Sequence, residues 1–212
     1  MEKEKKNSPK NLFYKGDFSL VEQGRRVSVV GSRKISEMGI KRARLISNFL
    51  SDNDIIIVSG LAEGVDTIAL QSAIERGGRA IAVIGTPLNK YFPAKNEALQ
   101  NKIAEEHLLI SQFPEGYNVT PKNFPIRNRT MALISDATII IEASEKSGTK
   151  HQGWEALRLG RELFIMENVI KENNISWAKE MLNYGAQVLT QENYKHLIED
   201  VPYLTSKEEY AF

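Results

Sequence analysis

Short apolar runs, rich in β-branched residues, alternate along the chain with segments whose apolar residues follow helical spacing. Such runs predict strands, and the segments between them predict helices. The predicted strands are residues 26–30, 55–59, 79–84, 108–112, 138–142 and 162–165, with a weaker one at 186–189. Regular alternation of this kind is typical of βαβ units. The sequence therefore predicts an α/β fold with a three-layer, Rossmann-like, doubly wound and mostly parallel sheet.

Four of the runs, VSVV, IIIVS, AIAVI and ATIII, contain almost no polar residue. Strands with apolar residues on both faces are covered by helices on both sides, so these four belong in the centre of the sheet. The segment 39–51 places Ile46, Phe49 and Leu50 on one stripe, which predicts an amphipathic covering helix. The next helix starts near Val65 and ends at Gly77-Gly78. Further helices are predicted around 131–134, 155–159 and 175–182.

Length and composition favour one main domain: 212 residues, a formal charge of +1, 42% hydrophobic residues and no cysteine. We assign residues 1–24 to a polar N-terminal lead-in, 25–190 to the Rossmann-like domain and 191–212 to a C-terminal helix and tail. No apolar run approaches the roughly 18 residues of a membrane-spanning helix. The first ten residues do not resemble a signal peptide. We therefore expect a soluble, cytoplasmic protein without a membrane partner.

The near-zero net charge argues against a protein that coats nucleic acid by bulk electrostatics. Basic residues nevertheless cluster in one part of the chain, and such a cluster is either a solvated face or a local anion site. Its members are Arg25, Arg26, Arg33, Lys34, Lys41, Arg42 and Arg44.

Glycine turns follow the first two predicted strands, and both turns lead into helices. The carboxyl ends of parallel strands share one edge of the sheet, where open α/β sheets bind their ligands. Glycine permits close backbone approach, a helix N-terminus favours an anion, and Arg33 can hold a phosphate with two hydrogen bonds. Gly60 and Gly64 could equally serve packing, and Asp66 could be a helix-start residue. The candidate phosphate-binding residues are Gly31, Ser32, Arg33, Ser59, Gly60 and Gly64.

The segment 122–129 combines basic and aromatic residues just before an apolar helix and a buried strand. Phe124 could stack on a base, worth about 1–3 kcal/mol, or pack in the core beside Pro125. Arg127 and Arg129 diverge on a helix, so only one can point into the crevice and the other is expected in a structural ion pair. Lys122 completes this set of candidates.

A third polar turn, Ser147, Gly148 and Thr149, follows the strand at 138–142 and opens a helix. Ser147 and Thr149 could serve as helix-start residues alone. Three such turns on one sheet edge nevertheless predict a continuous polar crevice.

The sequence lacks the motifs of several common enzyme and nucleotide-binding sites. It has no Walker motif and no dinucleotide-binding Gly-x-Gly-x-x-Gly after the first strand. It also has no Gly-x-Ser-x-Gly elbow. His107, His151 and His196 lack metal-ligand partners at short spacing. We therefore predict no catalytic residue, no metal site and no cofactor.

Seven segments of the chain resemble the DprA/Smf family of DNA-processing proteins in order and spacing over residues 25–189. The segments are VVGSRKISEMG, VSGLAEGVDTIA, YFPAKNEAL, SQFPEG, NFPIRNRTMALIS, IIIEASEKSGT and LGRELF. The resemblance implies a protein that binds single-stranded DNA, and we expect it to do so without catalysis. It also implies a homodimer that passes the strand to a RecA-type recombinase during natural transformation. The implied DNA-binding residues are the candidates above: Gly31, Ser32, Arg33, Ser59, Gly60, Gly64, Lys122, Phe124, Arg127, Arg129, Ser147, Gly148 and Thr149.

The chain departs from this family after Thr149, where Lys-His-Gln-Gly-Trp replaces a Leu-Ile-Thr-Ala-like stretch. We also expect no N-terminal helical domain and no winged helix. A related group, the LOG-type nucleotide phosphoribohydrolases, uses Gly-Gly-x-Gly-Thr-x-x-Glu with the acid as catalyst, whereas this chain has Gln152, which cannot ionise. The alternative functions are a nucleotide-binding sensor, a LOG-like hydrolase using the same pocket, or an interaction module.

Overall fold

The sheet of the protein contains eight strands in the order β1-β5-β4-β3-β2-β6-β7-β8. The computed structural model describes residues 5–6, 8–171 and 175–203. β1 pairs with β5 in antiparallel orientation, and all other neighbours are parallel. The strands are β1 Phe13–Gly16, β2 Arg26–Val30, β3 Ile56–Ser59, β4 Ala80–Ile84, β5 Leu108–Ser111, β6 Ala137–Ile140, β7 Glu162–Met166 and β8 Gln187–Leu189.

Helices cover the sheet on both faces. Parallel crossovers are right-handed, so the chain changes face when the direction of strand addition reverses after β5. Accordingly, α1 packs against α2, and α4 packs against α5. The predicted three-layer, mostly parallel α/β fold is confirmed. The helices are α1 Glu37–Asp52, α2 Val65–Glu75, α3 Glu97–Glu106, α4 Asn123–Ile134, α5 Thr149–Leu159, α6 Glu167–Lys171, α7 Ser176–Leu182 and α8 Tyr194–Glu199.

The core lies in the central strands, as the apolar runs predict. Every residue of β2, β3, β4, β5 and β6 is buried. Burial on both faces explains why these strands lack the polar–apolar alternation of a half-exposed strand. Within the described residues, no helix combines the length and apolarity needed to cross a bilayer.

The point where strand order reverses lies between β2 and β6. These strands pair in register, with Val30 opposite Ile140 at their carboxyl ends. The connection after β2 leads to α1 on one face, and the connection after β6 leads to α5 on the other. The two connections therefore separate and leave a crevice above the strand ends.

Residues 13–16, which the sequence analysis assigned to the lead-in, instead form the edge strand β1. All four are exposed, and Tyr14 lies opposite Ile110 of β5. Pattern analysis missed the strand because it has no buried face. The C-terminal region also joins the domain: the backbone N–H of Gly24 donates to the Tyr203 hydroxyl at 2.7 Å. The tail beyond residue 203 lies outside the described residues.

Candidate functional site

A cavity of about 570 Å³ lies at this switch point, between the turns after β2 and β6 and the start of α4. We call it the switch cavity. Turns that are far apart in the sequence converge on it because the carboxyl ends of parallel strands share one edge. Eight of the thirteen predicted site residues line it: Gly31, Ser32, Arg33, Phe124, Arg127, Ser147, Gly148 and Thr149.

The turn after β2 is clamped on both sides. A Cβ at Gly31 would lie 2.7 Å from the carbonyl oxygen of Glu142 and 2.6 Å from the Val65 side chain, so only glycine fits. The Ser32 N–H donates to the Glu142 carbonyl at 2.7 Å. Arg33 follows this fixed turn and remains exposed, with Cζ 5.2 Å from the centre of the Phe124 ring. The turn therefore holds an exposed guanidinium at the cavity mouth.

Arg127 lies inside the wall, with an exposed fraction of only 4%. Its Nη1 donates to the carbonyl oxygens of Gly60 and Val83, the latter at 2.8 Å, and so joins the ends of β3 and β4. Burial lowers the pKa of Arg127 to about 10, which leaves it charged at neutral pH. A Cβ at Gly60 would overlap the guanidinium, which explains the glycine there. Arg127 is therefore largely occupied in holding the site together.

Asp66 is buried in the first turn of α2 and also lines the cavity. Burial raises the pKa of its carboxyl, although the nearby charge of Arg127 and hydrogen bonds with the backbone of Ala62 and Gly60 act in the opposite direction. Asp66 is thus a helix-start residue and a wall residue at once.

The turn after β6 is held by side-chain hydroxyls. The Ser147 and Thr149 hydroxyl oxygens lie 2.7 Å apart, and the Thr149 N–H donates to Ser147 Oγ at 3.3 Å. Asn128 of α4 donates to the Gly148 carbonyl at 3.4 Å, which ties the turn to α4. These contacts match the helix-start role and also bring the turn to the cavity wall.

Four other candidates lie outside the cavity wall, and a fifth, Gly60, lines a small adjoining cleft. The structure corrects the placement of Ser59: it is fully buried, and its hydroxyl donates to the Val29 carbonyl at 2.7 Å, so it joins two strands. Gly64, with φ of +77°, lies against the backbone of the Gly31–Arg33 turn. Lys122 and Arg129 are exposed, and their contact with a ligand stays a prediction. Arg129 has no ion-pair partner among the described residues, contrary to expectation.

Comparison with known proteins resolves the family. The model of the family described as DNA recombination-mediator protein A matches residues 1–202. The chain belongs to this family. DNA processing protein DprA of Streptococcus pneumoniae is 36% identical over 184 residues, which cover 87% of this chain and 64% of that protein. Protein Smf of Synechocystis is 36% identical over 188 residues, covering 87% of this chain and 47% of that relative. The chain thus spans about half to two thirds of these relatives.

Solved structures of DprA proteins share the fold. A DNA processing protein A from Helicobacter pylori, whose structure concerns its single-stranded DNA binding mode, superposes with a TM-score of 0.81 and 26% identity. The match covers 93% of this chain and 91% of that chain. The S. pneumoniae structure also gives a TM-score of 0.81, at 34% identity, over 91% of this chain and 66% of that chain.

The structure places two further residues beside Phe124 and the small adjoining cleft that sequence analysis missed. Gly85 follows β4 directly, and a Cβ there would lie 2.9 Å from the Phe124 ring. Phe92 is 50% exposed, and its ring centre lies 5.3 Å from that of Phe124. Gly85 carried the same signal as Gly31 and Gly60, a glycine directly after a buried strand. Phe124 itself packs with Gly85, Phe92 and Arg33, so Phe92 offers the more open aromatic face.

The basic and acidic side chains near the cavity mouth differ in their hydrogen bonding to the protein. Arg33, Lys34 and Lys146 line the mouth and are exposed. Two nearby carboxylates are instead held by serines. Glu142 accepts from the N–H of Ser36 at 3.0 Å and from its hydroxyl at 2.5 Å.

Glu145 accepts from the N–H and hydroxyl of Ser176, which lowers the pKa of its carboxyl. Among the described residues, no group of three acidic or histidine side chains could hold a metal ion. Within the part of the chain that the structure describes, the exposed charged residues that line the mouth are therefore all positive, which suits an anionic ligand.

Proposed function

We propose that the switch cavity binds single-stranded DNA by holding phosphates at its mouth. The observation that carries this proposal is the convergence of two glycine turns and the start of α4 on one cavity whose exposed charged residues are Arg33, Lys34 and Lys146. A guanidinium and two ammonium groups around fixed backbone turns suit a phosphate chain. Binding of single-stranded DNA by the H. pylori relative supports the same choice of ligand.

We extend this proposal to the biological role. The protein protects an incoming strand and loads a RecA-type recombinase on it during DNA uptake, as a homodimer in the cytoplasm. The family description as a recombination mediator supports the loading step, and the dimer follows from what the DprA/Smf resemblance implies. We propose binding without catalysis, since the two carboxyl groups nearest the cavity among the described residues are engaged: Glu142 is held by Ser36, and Asp66 is buried.

The direct test is binding of the purified protein to a labelled dT oligonucleotide as a function of salt. If about four phosphates are contacted, log affinity should fall with log salt at a slope near −3, because each single-strand contact contributes about −0.7. Between about 50 and 200 mM salt, the affinity should fall roughly 60-fold. An affinity independent of salt would contradict the proposal.

A second candidate function, a nucleotide sensor or a LOG-like hydrolase, is favoured by the size of the cavity, since about 570 Å³ can hold one nucleotide. Thermal shifts distinguish the candidates, because a ligand stabilises the folded state by RT ln(1 + [L]/Kd). Stabilisation by dT oligonucleotide and not by mononucleotides supports DNA binding. Stabilisation by a mononucleotide alone supports a sensor, and release of free base supports hydrolysis. Gln152 in place of a carboxylate disfavours the last outcome.

A further inference from the structure

A second cavity, of about 310 Å³, lies on the β7–β8 side of the switch cavity. Met166 and Leu189, the last residues of β7 and β8, line it together with Tyr194 at the start of α8. The facing wall is α1, so we call it the α1 cavity. Because the carboxyl ends of parallel strands share one edge of the sheet, the α1 cavity and the switch cavity open at the same edge.

The wall that α1 contributes combines apolar surface with positive charge. Met38 and Leu45 line the cavity and are 52% and 44% exposed. Lys41 lies between them at helical spacing, so the three side chains share one face of α1. Lys41 is exposed and has no ion-pair partner among the described residues, whereas Lys171, across the cavity, pairs with Glu167 at 2.5 Å. The wall therefore offers a ligand an ammonium group between two apolar side chains.

Asn168 adds a hydrogen-bond acceptor to the same cavity. Its exposed fraction is 6%, and its Nδ2 donates to the Ile141 carbonyl at 3.3 Å. Its Oδ1 is buried and has no hydrogen-bond partner among the described residues. Nearly all buried polar atoms in proteins are paired, so this oxygen calls for a donor. A ligand of the α1 cavity should therefore carry an N–H group as well as an anionic group and an apolar surface.

The segment Ile141–Glu142 separates the two cavities and contacts both. The Ile141 carbonyl accepts from Asn168 of the α1 cavity, and the Glu142 carbonyl accepts from the N–H of Ser32 of the switch cavity. The Glu142 carboxylate is held by Ser36, the N-cap residue of α1. The step from one cavity to the other is therefore short and crosses the start of α1.

Positive charge continues along this step. Lys34 lines the switch cavity just before α1, and Lys41 lines the α1 cavity just after its first turn. Arg42, which is half-buried, lines the α1 cavity beside Lys41. A polyanionic chain bound at the mouth of the switch cavity thus meets further cations in this direction.

We propose that the α1 cavity is a second DNA subsite. The strand leaves the mouth of the switch cavity, crosses the start of α1, and places a nucleotide against Met38 and Leu45 with its phosphate at Lys41. This inference rests on the proposed function, single-stranded DNA binding. A nucleotide supplies the three features that the cavity requires, since it has a flat base, N–H donors on that base and a phosphate.

An acidic peptide shares the charge and the N–H groups, but the position of the cavity favours DNA. A strand already held at the mouth brings its next nucleotides to the α1 cavity at high effective concentration, whereas a peptide would bind there as a separate molecule.

The experiment measures binding of the full chain to dT oligonucleotides of about 4 and about 12 residues. The short probe occupies the switch cavity alone, and the long probe reaches both cavities. Lys41→Ala should weaken binding of the long probe about 4-fold at about 150 mM salt, the contribution of one single-strand phosphate contact, and make its salt slope less negative by about 0.7. Binding of the short probe should not change. Arg44→Ala removes an exposed cation of α1 outside the cavity and should change neither.

A second variant tests the contact with the base. Leu45→Gln keeps a good helix former and removes apolar surface from the cavity. It should weaken binding of the long dT probe about 4-fold, equivalent to the burial of one methylene group, with an unchanged salt slope. Binding of an abasic chain of equal length and charge should stay the same. The melting temperatures of both variants should match the wild type, because both side chains are exposed.

The outcomes separate this inference from the proposed function. Equal losses on the short and long probes in Lys41→Ala overturn the second subsite, because the effect then belongs to the mouth of the switch cavity. Unchanged binding of the long probe by both variants also overturns it and leaves an acidic peptide as the occupant of the α1 cavity. In both cases binding of the short probe by the wild-type protein keeps the proposed function intact. Absence of wild-type binding to either probe overturns the proposed function together with this inference.

Discussion

The mouth and the buried wall of the switch cavity use the same residue type for opposite purposes. Arg33 is exposed at the mouth and touches the Phe124 ring, whereas Arg127 is buried and joins the ends of β3 and β4. The glycines also serve two different purposes: Gly31 lines the cavity, and Gly60 makes room for the Arg127 side chain. A basic residue in a binding motif is therefore available to a ligand only where its donors are not already bound by the protein.

The largest effect should come from Arg127→Met. The Gly60 and Val83 carbonyls would lose their donor, and Asp66 would lose a nearby positive charge. Breaking a buried charged hydrogen-bond network of this kind costs about 3 kcal/mol of unfolding free energy. Urea denaturation measures it. Arg129→Met is the control and should change stability by less than about 0.5 kcal/mol, because Arg129 is exposed. Equal losses of unfolding free energy in both variants would contradict the different roles of the buried and the exposed arginine.

The next largest effect should come from Arg33→Ala at the mouth. Loss of one phosphate contact should lower affinity for a dT oligonucleotide about 10-fold, the equivalent of about 1.4 kcal/mol. The salt slope should become less negative by about 0.7. The melting temperature should stay the same, because Arg33 is exposed. Arg44→Ala, an exposed arginine of α1 away from the cavity, serves as the control. Unchanged affinity of Arg33→Ala for the dT oligonucleotide would show that Arg33 does not contact a phosphate.

A smaller effect should come from Phe92→Leu, which keeps apolar bulk and removes the aromatic face. Loss of one stacked base should weaken dT binding about 5-fold, near the lower limit for such contacts, with an unchanged salt slope. Tyr184→Leu removes another exposed ring, which packs on Trp154, and should leave binding unchanged. A change in the salt slope of Phe92→Leu would show that the ring positions Arg33 and does not stack.

The smallest effect should be a pH dependence of stability at Asp66. Burial raises its pKa above 3.8 in the folded state, so the folded state holds the proton at higher pH than the unfolded chain does. The stability of the wild-type protein relative to Asp66→Asn should fall as pH rises from about 3.8 through the raised pKa, and then stay constant. Urea denaturation at a series of pH values measures this difference.

Asp52→Asn provides a control of opposite sign. The hydrogen bond from Arg76 lowers the pKa of Asp52, so the stability relative to that variant should be lost as pH falls through the lowered pKa. The same slope for both variants would contradict the assignment of Asp66 to the buried wall.

Sequence patterns predicted the central sheet well because burial on both faces requires apolar residues. They could not predict β1, since its four residues are exposed and it exists only because β5 offers a free edge. The turns after β2 and β6 meet at the switch cavity because topology brings strand ends together, whereas the connection after β3 reaches it through Ala62 and Asp66 and not through the predicted Ser59, Gly60 and Gly64. Which of Arg127 and Arg129 is buried depends on the backbone carbonyls that each guanidinium can reach. Ser59 has the sequence context of a turn residue, and only its burial shows that it is not exposed to a ligand. Both depend on packing between segments distant in sequence.

The short antiparallel strand β1 covers one edge of the sheet and so limits edge-to-edge strand pairing there. It occupies the outer hydrogen-bonding edge of β5, whose four residues are buried, and it ends at Gly16, where a Cβ would collide with the carbonyl of His107. A four-residue strand is a poor template for a strand from another chain. A truncated chain starting after Gly16 would leave the outer edge of the apolar strand β5 unpaired, and fibrous aggregation is the expected fate of such an edge.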